Sequence, residues 1–454
     1  GGVAARSAAP ILFTSLPRNQ IKAPGQWQGI DLTGASAEDS ILRNIIVEYA
    51  VDGIDWTTCS IPLEDSEVRY CSDMGLEISD NTANPAITNV VTHHNAADGI
   101  YVYEGNPTLV DIVSRENTRY GIHYSTNAYG TATNCEFRNN SSHGIYLVTS
   151  CSPTIDNCQI IENGSWGVRS EAGCNPSFLD STISDNAGYG IRGNHTGANT
   201  WSYPRLERCT IERNTSNGVS YRERMRPDAY IRECTIRDNG ASGIQLEQEC
   251  DLWITDNIIT DNALHGIYIY SSSGNDCVVK RNVIAYNATD GIYRYSSGSP
   301  TFAHNTIYGN TGNGIYMHST GSGTETFQHN IIVNNGGWGI RLDTKIETFS
   351  YNNVYENAGG QISNVANLPQ ADHWVFPPGS PTDSYANRSE IPGLSLSDAY
   401  DLALLPDSTM IDTGGTAILD PDGSPADLGA LYRDYGNPHT ISATHYADQT
   451  VDLE

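Results

Sequence analysis

From Gly29 to Gly339 the chain keeps returning to one short pattern. A glycine is followed by an apolar residue, a polar one and usually a second apolar one, and then by a polar stretch rich in Asn, Ser, Asp and Thr. The glycine–apolar pair stands at Gly29, Gly53, Gly75, Gly99, Gly121, Gly144, Gly167, Gly190, Gly218, Gly243, Gly266, Gly291, Gly314 and Gly339. The spacing is mostly 22 to 25 residues, with one step of 28 between Gly190 and Gly218. The alternation predicts a short strand whose first residue after glycine points inward and whose second and fourth point outward. Repeats of this length, rich in Gly and Asn, predict a solenoid.

Two further columns fix the phase. Four residues before the glycine stands Asn95, Asn117, Asn140, Asn163, Asn186, Asn214, Asn239, Asn262, Asn287, Asn310 or Asn335. Nine residues before it stands Asn44, Cys135, Cys158, Ser181, Cys209, Cys234, Asn257, Asn282, Asn305 or Asn330. In a parallel β-helix equal offsets stack at about 4.8 Å, so such asparagines form a hydrogen-bonded ladder. Asn also tolerates the left-handed backbone of tight corners. No repeat carries the helical segment of a leucine-rich repeat, and a β-sandwich would not hold Asn at one offset through eleven turns. The pattern therefore predicts an all-β parallel β-helix of about 14 coils. Residues 1–28 read as an opening segment with a first partial coil, 29–367 as the coils, and 368–454 as an irregular C-terminal cap and tail. Pro369, Pro377, Pro378, Pro381 and Pro392 break strands where the repeat stops. A terminal coil needs such a cover, because it would otherwise expose unpaired backbone and an apolar core.

Charge and composition narrow the partners. The chain has 454 residues with 25 basic and 53 acidic groups, a formal charge of -28. That argues against nucleic acid, whose phosphates need a basic face. Tyrosines number 26 against 7 phenylalanines, which points to exposed amphipathic rings. Four of the ten cysteines (Cys135, Cys158, Cys209 and Cys234) fall in an interior column and read as buried thiols. Cys151 and Cys174 share an offset on neighbouring coils and are close enough to bond, and Cys59 and Cys71 are placed to close one coil. No CxxC pair or Cys/His spacing suggests zinc. There is no transmembrane run and no signal peptide at the start, which reads as a processed polypeptide. Sequons occur at Asn139, Asn140, Asn163, Asn194, Asn214, Asn287 and Asn387, several of them inside the Asn ladder and so structural coincidences.

The segments PILFTSL and QWQGIDL, then ILRNIIVEYAVDGI, the Gly-Ile coils and the closing MIDTGGTAILDPDGSPADLGALY (residues 410–432) resemble the secreted right-handed parallel β-helix proteins of the pectate-lyase-like superfamily. The resemblance covers about residues 10–432. It implies a right-handed helix and an extracellular or cell-surface location. It does not choose a chemistry, because that superfamily holds polysaccharide lyases, hydrolases and epimerases beside non-catalytic surface proteins.

The outward columns carry the candidate chemistry. Two places after glycine the chain reads Asp55, Glu77, Tyr101, His123, Tyr146, Arg169, Arg192, Ser220, Gln245, Tyr268, Tyr293, Tyr316 and Arg341. Four places after it come Tyr103, Glu171, Arg222, Glu247, Tyr270, Tyr295, His318 and Asp343, among others. Tyrosines that flank arginines suit an anionic glycan, the rings receiving sugars and the guanidinium forks carboxylates. The longest insertion, residues 193–204, brings His195 and Trp201, and the next coil adds Arg224. Arg192, Arg222 and His195 are the catalytic candidates: an arginine (Arg169, Arg192 or Arg222) neutralises a uronate carboxylate, and His123, His195 or the inward-phased Tyr221 takes the α-proton. Glu171 and Glu247 are too far apart for a hydrolase pair. Asp420, Asp422 and Asp427 resemble a calcium loop without EF-hand spacing, so an ion-free Asp-Gly turn competes with that reading. The expected partner is thus an anionic polysaccharide, with no required cofactor and calcium as the one candidate ion. The rival reading is a structural protein that assembles head to tail through its coil ends.

Overall fold

The computed structural model describes residues 9–15, 21–34, 40–171, 173–194, 204–222, 228–247, 250–270, 276–295, 297–318, 324–370, 373–378, 380, 382–395, 402–415 and 424–430. His195, Trp201, Arg224, Asp420 and Asp422 lie outside them. The chain divides into two compact units, residues 1–205 and 206–454.

Within each unit the coils are three-stranded. In the first unit one coil comprises Ile122–Ser125, Thr131–Thr133 and Glu136–Arg138, and the next comprises Ile145–Val148, Thr154–Asp156 and Gln159–Ile161. Each strand pairs in parallel with its equivalent: Ile122 with Ile145, Ala132 with Ile155, Phe137 with Ile160. In the second unit Ile267–Tyr270, Val278–Lys280 and Val283–Ala285 pair likewise with Ile292–Tyr295, Thr301–Ala303 and Thr306–Tyr308. The alternation behaves as expected, with Ile122 and Tyr124 wholly buried and His123 and Ser125 on the outside.

The ladder is continuous where it is described. Asn163 Nδ2 donates to Asn186 Oδ1 at 3.0 Å, and Asn140 Nδ2 donates to Asn163 Oδ1 at 3.1 Å. In the second unit the other column runs through Asn257, Asn282, Asn305, Asn330 and Asn352 with amide contacts of 2.9 to 3.1 Å. These asparagines are not the left-handed corner residues. Positive φ falls one place earlier, at Asn139 (52°), Glu162 (54°) and Asp185 (58°). Asn44 is itself left-handed at φ 53° and half-buried, one place out of the interior column to which its spacing assigned it. The sequon residues Asn140, Asn163, Asn214, Asn287 and Asn387 are at most 1% exposed, which leaves no room for a glycan.

Apart from Gly29 at φ 115°, the repeating glycine does not supply an unusual backbone. At Gly144 an added Cβ would lie 2.5 Å from Ile160, 2.7 Å from the Asn163 amide and 2.9 Å from the Gly167 carbonyl. Close approach of the next coil, rather than positive φ, demands glycine there. All ten cysteines are buried and none is joined in a disulfide. The bonds considered for Cys151–Cys174 and Cys59–Cys71 do not form; instead the Cys174 sulfur accepts the Cys151 N–H at 3.3 Å, as a ladder side chain does.

Beyond the last coil the chain supplies one more rung. Arg388 bridges Asn353 in parallel, and Asn387 Oδ1 accepts from Asn352 Nδ2 at 3.2 Å. Leu402, Leu404, Met410, Leu428 and Ala430 then pack against Val283, Ala285, Ile331 and Val333, on the outside of the second unit. These outward apolar residues mark where the covering segment lies.

Candidate functional site

In the first unit the outward column of the Gly-Ile strands stands beside a second column, the residue just before each glycine. The first column runs Asp55, Glu77, Tyr101, His123, Tyr146, Arg169, Arg192, with each residue in register with the next. The second runs Asp52, Met74, Asp98, Tyr120, His143, Trp166, Tyr189. Parallel pairing sets successive rungs about 4.8 Å apart, so the face changes from acidic through aromatic and imidazole to cationic over seven rungs.

At the centre, Asp98 is wholly buried and its carboxylate lies 3.1 Å from His123 Nδ1 and 3.8 Å from Arg119 Nε. The Tyr120 backbone N–H adds a third contact to Asp98 at 3.3 Å. Asp98 accepts, so His123 Nδ1 carries the proton and Nε2 the lone pair. His123 Nε2 is buried and has no hydrogen-bond partner. The rings of Tyr101, Tyr146 and Tyr120 surround the imidazole at centroid distances of 4.9, 4.8 and 5.4 Å. Tyr103 tilts against Tyr101 at 6.5 Å and is one of the exposed rings.

On the cationic side Arg169 Nε donates to Glu171 at 2.7 Å, and its guanidinium lies 5.2 Å from both the Tyr146 and the Trp166 rings. Tyr146 donates to the other Glu171 oxygen at 3.2 Å, and burial together with that carboxylate lifts its hydroxyl to about 12. Arg192 lies 4.4 Å over Tyr189 and 5.5 Å from Trp166. His143 is held down to about 4 by burial and by Arg169. Its Nδ1 accepts the Trp166 N–H at 3.2 Å, so it is a neutral wall residue. On the acidic side burial, then Asp55, Asp52 and Asp73, push Glu77 up to about 7. That carboxyl is divided between its two forms at neutral pH and can give or take a proton.

The arginine group expected from the sequence divides between the units. Arg169, Glu171 and Arg192 belong to the first, Arg222 and Glu247 to the second, where Arg222 lies 3.4 Å from Glu247. The second unit also holds the other tyrosines. Tyr270 stacks on Tyr295 at 5.3 Å and 16°, and Tyr268 on Tyr293 at 5.3 Å and 24°. Tyr316 donates to Asp343 at 2.8 Å. Tyr268 with Tyr293 and Tyr270 with Tyr295 turn their faces to one another along the coils, whereas Tyr316 meets Tyr293 edge-on at 89°. Asp427, the one described residue of the candidate calcium loop, is 4% exposed and accepts the Asp412 N–H at 2.8 Å.

Asp98 and Tyr120 were missed because the column before glycine was not read as a face, and Arg119 stands one place ahead of that column. Its repeated Asp, Tyr, His and Trp were the available signal. Glu77 was visible in the outward column, but its raised pKa depends on burial beside three other carboxyls.

Among solved structures the chain is similar to a mannuronan C-5 epimerase A-module of Azotobacter vinelandii, at 15% identity over 75% of this chain and 89% of that one, TM-score 0.48. It is similar also to a periplasmic alginate epimerase (15% identity, 67% and 73% covered, TM-score 0.40). A PL6 alginate lyase bound to a trisaccharide gives 12% identity, 87% and 99% covered, TM-score 0.41. No curated protein matches. The family described as right handed beta helix region matches residues 28–205, 192–276 and 225–369, and the chain belongs to that family.

Proposed function

We propose that the first unit binds an extended, carboxylate-bearing polysaccharide across its Tyr/His/Arg face and cleaves it by β-elimination. The observation that carries this reading is the Asp98–His123 pair, an imidazole oriented through Nδ1 with a partnerless Nε2 among tyrosine rings. His123 Nε2 removes the proton α to a sugar carboxylate, the electron pair forms a carbon–carbon double bond, and the glycosidic oxygen on the β-carbon leaves. Arg119, on the same Asp98 carboxylate, draws off charge from the substrate carboxylate as it develops enolate character. Glu77 or Tyr101 returns a proton to the leaving oxygen. Tyr101 and Tyr146 cover Nε2, so productive binding includes displacement of a ring. Arg169 and Arg192 extend the cationic subsites. This reading gives no catalytic part to Arg222, which with Glu247, Tyr268, Tyr270, Tyr293, Tyr295 and Tyr316 forms a further glycan-contact surface on the second unit. It also places the protein outside the cytoplasm, where such polymers occur.

The test is incubation with a panel of uronic-acid polymers, following the ultraviolet absorbance of the unsaturated product. Product on at least one polymer, and its loss by 100-fold or more in His123→Ala at unchanged retention on that polymer, is the expected result. No product and no retention on any of them defeats the reading. The structural alternative has one observation in its favour: among the described residues strand Ile11–Phe13 pairs only with Ile45–Val47, and Ile11 and Leu12 are exposed. End-to-end particles in negative stain would support assembly, and monomers at high concentration would rule against it.

A further inference from the structure

We propose that His93, His94 and Glu116 bind a divalent transition-metal ion of the zinc type, on a different sheet of the first unit from the His123 face. His93 ends the strand Ala86–His93, and His94 turns the corner with φ 55°. One coil on, Arg115 pairs with His93 and Glu116 turns the same corner with φ 54°. The coil geometry therefore stacks Glu116 on His94. The two Nδ1 atoms lie 2.6 Å apart, Glu116 Oε2 lies 3.4 Å from His94 Nδ1, and all three ligand atoms fall within 4.8 Å of one another.

The support behind these ligands makes this more than a chance meeting of surface histidines. His93 Nε2 lies 2.9 Å from Glu67. A carboxylate only accepts, so Nε2 bears the proton and Nδ1 offers its lone pair into the cluster. Glu67 is in turn fixed by Arg69 at 2.6 Å, and Arg69 by Glu48 at 2.9 Å. This is the carboxylate–imidazole arrangement that orients metal-bound histidines.

Without an ion the His94 Nδ1 proton fills the space by donating to His93 Nδ1. Binding moves that proton to His94 Nε2, which frees the Nδ1 lone pair, and the two Nδ1 atoms separate to roughly 3.3 Å around an ion held at about 2.0–2.1 Å. Glu116 must also leave Arg115, with which it pairs. Two imidazoles and one carboxylate favour zinc, cobalt or nickel over calcium and magnesium, which prefer all-oxygen sets. The ligands come from two neighbouring coils and the supporting Glu67 from a third, so the ion clamps three rungs together.

The test is zinc titration of the chelator-stripped full chain at neutral pH against a chromophoric competitor, with cobalt absorption as a second readout. Expected are one equivalent lost in His94→Ala and in Glu116→Gln, at least about tenfold weaker binding in Glu67→Gln, and a melting temperature raised by zinc in the parent but not in His94→Ala or Glu116→Gln. Zinc retained in full by His123→Ala would show the site independent of the glycan face. The proposal is overturned if the parent binds no more zinc than His94→Ala, or if Glu67→Gln leaves affinity unchanged. The metal-free melting temperature of each variant separates lost ligation from lost folding.

Discussion

At the residue scale the informative positions are those that break the alternation. The third residue after glycine points inward and is usually aliphatic, yet Arg294 occupies it and is wholly buried. Its guanidinium donates to Glu325 at 2.7 Å and to the Gly298 carbonyl at 2.7 Å, while Arg294 Nε and one Glu325 oxygen have no partner. Two desolvated charges with incomplete satisfaction stabilise little, but removing one strands the other. Arg294→Met should therefore cost about 3–5 kcal/mol, and adding Glu325→Leu should restore most of it. Urea unfolding of the two variants checks this, and a double variant no better than the single would show the pair to be a net stabiliser. Nothing in the local sequence announced it, because Glu325 follows residues 319–323 with no strand alternation of its own. The same scale holds Glu77. With its carboxyl near 7, the rate of product formation should show a limb close to neutrality that Glu77→Gln removes or displaces. A pH profile unchanged by that substitution would take Glu77 out of the mechanism.

At the element scale the coil was almost fully legible. Constant offsets of Gly, Asn and Cys report a stacking that only a parallel solenoid produces, and Asn163 with Asn186 are vertical neighbours at 3.0 Å. What did not show was the division of labour at the corner, where the left-handed residue precedes the ladder asparagine and varies widely, from Glu162, Asp185 and Asn139 to His94, Arg213 and Tyr286. The ladder side chain instead satisfies buried groups. Asn163 Nδ2 donates to the carbonyls of Phe137 and Ile161 as well as to Asn186, and its oxygen accepts the Asn140 N–H at 3.1 Å. Asn163→Ala leaves several of these unpaired and should lower stability by about 3 kcal/mol. Gly144→Ala should cost about 1–3 kcal/mol by pushing against the next coil's carbonyl. Chemical denaturation measures both; a neutral Gly144→Ala would mean that the coils spread without cost. The candidate site was half legible for the same reason. The strand column showed Tyr101, His123 and Tyr146, whereas Asp98, which orients the imidazole, sits in the turn before the strand.

At the scale of the second unit as a whole, the C-terminal segment lies on the coils through buried imidazoles, and acid should release it. His329 Nε2 lies 2.6 Å from the Gly414 carbonyl, its backbone oxygen accepts the Gly429 N–H at 2.8 Å, and its ring stacks on His304 at 4.5 Å and on Tyr351 at 5.0 Å. Burial is the main cause that depresses both imidazoles, His304 well below its ordinary value, and each is further opposed by Lys280. Arg281 adds to the opposition at His304, while the backbone of Asp427 supports its charged form and Gly414 that of His329. In the folded protein these rings are neutral, whereas in the unfolded chain they protonate near pH 6.5. Below that pH the unfolded state binds more protons, so the stabilisation present at neutral pH is lost progressively as the pH falls. Hydrogen exchange at pH 5 and pH 7.5 should therefore show residues 402–415 and 424–430 opening in acid before the strands Ile267–Tyr270 and Ile292–Tyr295. Replacing His304 and His329 with Gln should flatten that difference. Equal acid sensitivity in the double variant would assign the effect elsewhere, to the paired carboxylates of the coils.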